Sequence, residues 1–145
     1  MKFQHKGNCV LFRFWPDVGE AGGWFDEENQ KIYIAKRLNP YQREVLYFHE
    51  RAHKECFLSG CKCWGRKYLC EYHAMREELK STTLSNNIDL CKAYHEHTGT
   101  FIEKCQEDPE MWKTHMAAFN KLRKTKMYKI FEGKMNEMSS NDNEP

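Results

Sequence analysis

The sequence has no run of apolar residues near the roughly 20 that a membrane-spanning helix requires, so a membrane protein is not expected. It has little net charge. Its 23 lysines and arginines against 21 acidic residues leave +2 with histidine neutral, which gives no electrostatic case for nucleic acid as the main partner. The opening residues, Met1-Lys2-Phe3-Gln4-His5-Lys6, lead into no apolar h-region. Secretion is therefore not expected, and the cytoplasm is the expected location. There is no internal repeat. At 145 residues, 40% of them hydrophobic and 30% charged, the composition is that of one ordinary globular domain. That domain is expected over residues 1–135, with a core at about 9–84 and a helical extension at about 87–135. The polar residues 136–145 are expected to form a disordered tail.

Cysteine, by contrast, is plentiful. Cys9, Cys56, Cys61, Cys63, Cys70, Cys91 and Cys105 make an odd count without a secretion signal, which argues against a disulfide framework. Four of them crowd between residues 56 and 70.

Residues 9–15, Cys-Val-Leu-Phe-Arg-Phe-Trp, are rich in strand formers and stop at Pro16. Trp24-Phe25 starts a second strand, before the polar turn Asp26-Glu27-Glu28-Asn29-Gln30. Lys31-Ile32-Tyr33-Ile34-Ala35-Lys36 reads as a third, with Ile32 and Ile34 on one face. A helix then starts: Asn39 suits the N-cap, Pro40 the first helical position, and Gln42 completes a capping box. A second helix is expected over about 69–84, and two more over 87–105 and 109–133, with breaks near Thr98-Gly99 and at Asp108-Pro109. The class is α+β, a small antiparallel or mixed sheet packed on helices.

The first helix contains His49-Glu50-Arg51-Ala52-His53, a His-Glu-x-x-His pattern. Residues four apart lie one turn above each other, so both imidazoles can reach one Zn²⁺. Glu50 lies about 100° round the helix from His49, beside the metal, where a base that takes a proton from water must stand. Without a metal, two histidines on an apolar helix face would be buried polar groups in need of partners. A catalytic zinc also needs a third protein ligand and an open position. The next helix offers Glu71, His73 and Glu78.

The order of strand Lys31-Ile32-Tyr33-Ile34, capped helix with His49-Glu50-Arg51-Ala52-His53, loop, and helix with Glu71-Tyr72-His73-Ala74 resembles the ImmA/IrrE family of small zinc metallopeptidases. The likeness covers about residues 20–80. It implies a minimal zincin-like core, with Glu71 as third ligand after His49 and His53 and with Glu50 as catalytic base. It also implies a specific cytoplasmic protein substrate, such as a repressor in phage or mobile-element regulation. The chain departs from the family pattern at Arg51 and in the charged run Met75-Arg76-Glu77-Glu78. His73 and Glu78 therefore stand as alternative third ligands.

Two further features are open at this level. Cys56, Cys61, Cys63 and Cys70 could form a second zinc site, disulfides, or a set of free thiols; the spacing lacks a Cys-x2-Cys knuckle. The donor that stabilises an oxyanion could be Tyr33, Tyr68, His73, His95 or His97, and the strand at 31–36 could hold an extended substrate. The basic stretch Lys121–Lys129 reads as a solvated helix face. The expected activity is zinc-dependent endopeptidase. The rival reading is a catalytically silent, zinc-containing module that binds protein or nucleic acid.

Overall fold

The computed structural model describes residues 2–5, 8–13, 22–63 and 65–142, with side chains described over 22–63 and 65–138. Among these residues four strands, β1 (Lys2–His5), β2 (Asn8–Arg13), β3 (Gly23–Asp26) and β4 (Lys31–Ala35), precede five helices. These are α1 (Pro40–Ser59), α2 (Lys67–Leu84), α3 (Ile88–Glu107), α4 (Lys113–Arg123) and α5 (Lys126–Asp142). The α+β class is as expected. The sheet is mixed, in the order β1-β2-β4-β3, with β4 parallel to β2 and antiparallel to β3.

The β3–β4 hairpin is built by its turn. Asp26 accepts hydrogen bonds from the backbone N–H groups of Glu28 (3.1 Å) and Asn29 (3.4 Å) and from the Asn29 amide (2.8 Å). Gln30 takes up the left-handed conformation that closes the turn (φ 55°). Trp24 and Tyr33 face each other across the strands and stack at 5.6 Å. The opposite face buries Phe25, Ile32 and Ile34 against Leu46, Tyr47 and Phe48 of α1.

The capping box at the start of α1 is complete. Asn39 Oδ1 accepts from the Gln42 backbone N–H (2.9 Å), and Gln42 Oε1 accepts from the Asn39 backbone N–H (3.1 Å). The helix ends at Gly60, whose φ of 66° is the left-handed cap that glycine permits. Between these ends α1 is enclosed on several sides. Leu46, Tyr47 and Phe48 meet the sheet, while Val45 joins a second core with Met75, Leu79, Tyr94, Phe119 and Phe131 of the following helices. Arg51 lies over the rings of Phe48 (5.5 Å) and Tyr47 (5.7 Å).

The structure departs from the sequence reading at several elements. Strand β1, which no sequence signal marks, pairs antiparallel with β2. Helix α3 runs unbroken through Thr98-Gly99, because Tyr94 before it and Phe101 and Ile102 after it pack on the helical core; the Thr98 and Thr100 hydroxyls donate to the His95 and Glu96 carbonyls. The stretch 109–133 holds two helices, because Thr125 accepts from the Tyr128 N–H and caps a new start. The expected tail at 136–145 instead continues α5 as far as Asp142, since Met135 and Met138 extend the face of Phe131 onto the helical core. Residues 14–16, where the first expected strand ended, and 143–145 lie outside the described residues.

Candidate metal centre

Helix α1 sets His49 and His53 one turn apart on the face toward α2, and their Nε2 atoms lie 3.2 Å from each other. Glu71, in the second turn of α2, closes the group. Its carboxylate oxygens stand 3.2 Å from His49 Nε2 and 3.3 Å from His53 Nε2. A tetrahedral zinc about 2.0–2.1 Å from three ligand atoms holds them roughly 3.3–3.4 Å apart. The two imidazole nitrogens are set at about that spacing, and Glu71 turns one oxygen toward each, Oε2 to His49 and Oε1 to His53, so the three residues are close enough to hold one metal ion. Of the three candidate third ligands, the structure brings Glu71 to the histidines.

Glu78, offered above as a third ligand, stands behind His49 instead. Its Oε2 accepts from His49 Nδ1 at 3.0 Å, which fixes the tautomer that leaves Nε2 free for a metal. Its other oxygen faces His97 Nε2 at 3.5 Å. Cys70 stands in the corresponding place behind His53, with its sulfur 3.2 Å from His53 Nδ1. Burial, with the neighbouring charges of Cys63 and Glu71, pushes the Cys70 thiol up to about 12, so it stays protonated. Helix α2 thus carries one candidate ligand and a polar partner behind each histidine. His73 is removed from this centre: it points to Cys56 and Cys61 on the other side of α2.

Electrostatics follow from the packing. Burial opposes ionisation of Glu71, yet hydrogen bonds and charge from His49 and His53 overcome it and hold the carboxyl far below its usual range. Burial also works against a charged His49, but the carboxylates of Glu71 and Glu78 on either side raise its pKa well above the ordinary value. Glu50 is buried, and burial pushes its carboxyl up while the two histidines pull it down. It packs beneath β3 so closely that a Cβ on Gly23 would stand 3.2 Å from Glu50 Cγ and 3.5 Å from its Oε1. A side chain at position 23 would therefore crowd the carboxylate.

The centre opens on a cleft of about 820 Å³. His49, Glu50 and Glu71 form its floor with Gly23 of β3, and His97 and His115 also line it. The strand beside the site is β3; β4, the strand expected there, lies between β2 and β3. His115 was missed in the sequence. It stands in the first turn of α4 with Nε2 3.7 Å from Glu71 Oε2, and its buried Nδ1 has no hydrogen-bond partner. Burial lowers its pKa, which favours a neutral imidazole. No local pattern marks it, because only the packing of α4 on α2 brings it to the cleft. Of the other oxyanion candidates, Tyr33 stacks on Trp24, Tyr68 packs on the helical core and His95 is exposed.

Comparison with family models, with curated proteins and with solved structures finds no match to this chain.

Proposed function

We propose that the chain is a zinc-dependent endopeptidase with a zincin-like core, as the resemblance to the ImmA/IrrE metallopeptidases implies. The observation that carries this reading is the His49–His53–Glu71 triangle with the buried Glu50 next to it and a cleft above it. The donor set of two imidazoles and one carboxylate suits zinc and leaves a position open for reaction.

Bound there, zinc would acidify water and polarise the scissile carbonyl. Glu50 takes the proton of the attacking water and passes it to the leaving amine. Glu78 and Cys70 hold the histidine rings so that both Nε2 atoms face the same point. His115, beside Glu71 at the cleft, is the residue we assign as donor to the developing oxyanion. An extended segment of a protein substrate lies along β3. A regulatory protein of the cytoplasm, of the repressor kind found in phage and mobile elements, is the substrate class that the resemblance suggests. No helix among the described residues is long and apolar enough to cross a membrane.

The test is Glu50→Gln in the full chain, assayed on a proteome-derived peptide library. Cleavage should fall at least about 100-fold, the scale of a lost general base, with zinc content and thermal unfolding unchanged. Equal cleavage by both proteins contradicts the assignment of Glu50. A wild-type chain that binds zinc but cleaves nothing leaves the rival reading, a zinc-containing binding module.

A further inference from the structure

We propose that Cys56, Cys61, Cys63 and His73 form a second, structural zinc site that pins the α1–α2 loop and so fixes Glu71 opposite His49 and His53. Cys56 projects from the last turns of α1, Cys61 and Cys63 from the loop, and His73 from the second turn of α2. Cys56 Sγ and Cys63 Sγ are 3.5 Å apart, and His73 Nδ1 lies 4.0 Å from both Cys56 Sγ and Cys61 Sγ. All four ligand atoms fall within 4.8 Å of one another. Four ligands around a tetrahedral zinc, with Zn–S near 2.3 Å and Zn–N near 2.0–2.1 Å, stand roughly 3.5–3.8 Å apart. The 3.5 Å sulfur separation is far from the roughly 2.05 Å of a disulfide, and the six cysteines with described side chains are free thiols.

The ligand set differs from the expected one in a single member. Cys70 faces His53, and His73 takes the fourth place. Three thiolates and one imidazole, with no open position, describe a structural zinc centre rather than a catalytic one.

The loop itself has need of such a pin. It turns through two left-handed glycines, Gly60 (φ 66°) and Gly65 (φ 86°). Among its described residues only Cys63 is buried. Arg66, at the N-cap of helix α2, makes no side-chain capping hydrogen bond. A tetrahedral ion joining the end of α1, the loop and the second turn of α2 supplies the constraint that apolar packing and capping do not. Glu71 lies two residues before His73, so the same ion sets its height against the histidines of α1. The inference requires only this geometry and stands whether or not the first centre hydrolyses peptides.

The experiment is titration of the metal-free full chain with zinc and then with cobalt(II). Zinc should bind at two equivalents per chain, one for each ligand group. Cobalt should give the intense near-ultraviolet absorption of thiolate-to-metal charge transfer. The His49→Ala/His53→Ala variant should keep that absorption and lose one equivalent. Cys61→Ser/Cys63→Ser should lose the absorption and the other equivalent. Cys70→Ser should retain both equivalents, which separates His73 from Cys70 as fourth ligand. A wild-type chain that takes up one equivalent and shows no thiolate–cobalt absorption overturns the proposal without any variant having to fold. Absorption lost in Cys70→Ser but kept in His73→Ala overturns the ligand assignment.

Discussion

Glu78 is the residue that most separates sequence from structure at this site. By spacing it shares a helix face with Glu71 and could pass for a ligand. In space it is a buried carboxylate hydrogen-bonded to His49 Nδ1 at 3.0 Å, one step away from any metal. The two roles predict different losses. Glu78→Ala should weaken metal affinity about 10–100-fold, the usual cost of removing the carboxylate behind a ligating histidine. Competition against a chromophoric chelator measures it. Unchanged affinity would show that the hydrogen bond orients nothing, and complete loss would make Glu78 a ligand. His49, Glu50 and His53 could be read as a unit in the sequence because their relation is purely local, fixed by the helical repeat. His115 could not, since its position depends on how a distant helix packs.

At the scale of elements, α1 is the best-specified piece of the chain. Its start, its first helical proline and its glycine stop are all written in local chemistry, and each does in the structure what its residue type favours. Asn39→Ala removes one half of the capping box and exposes the Gln42 N–H that it satisfies. The expected cost is about 1 kcal/mol in urea denaturation. Metal affinity should stay as it was, since His49 lies more than two turns further along. A loss well below that figure would mean that packing alone holds the helix start. The later helices were harder to read. Thr98-Gly99 looks like a break but sits inside α3, where packing on both flanks outweighs about 1 kcal/mol of glycine propensity. Thr125 looks like an ordinary helical residue but starts α5 with its hydroxyl.

Across the whole molecule, two cores share α1. The sheet-side core and the helix-side core meet at consecutive residues, with Val45 in one and Leu46 in the other. That arrangement holds the histidine turns between the sheet and α2, and it explains why α1 buries more of its circumference than a one-sided amphipathic pattern suggests. The helix-side core extends to α5, where Phe131 is 2% exposed and meets Tyr94 edge-on at 4.9 Å. Phe131→Ala should cost about 3–5 kcal/mol in chemical denaturation, as for other large aromatic truncations in a core. A cost below about 1 kcal/mol would show that α5 contributes little to the fold. The sequence did not reveal this reach, because residues 136–145 are polar enough to resemble a tail, while among the described residues Met135 and Met138 tie this end of α5 to the core.

The account rests on one point in space, the position equidistant from His49 Nε2, His53 Nε2 and the Glu71 carboxylate. Anomalous diffraction at the zinc edge, from crystals of the zinc-loaded full chain, tests it directly. The account predicts a peak there, about 2.0–2.2 Å from all three ligands, with Glu50 beside the ion and outside its coordination sphere. A peak that excludes Glu71, or no peak between the two histidines, would contradict it.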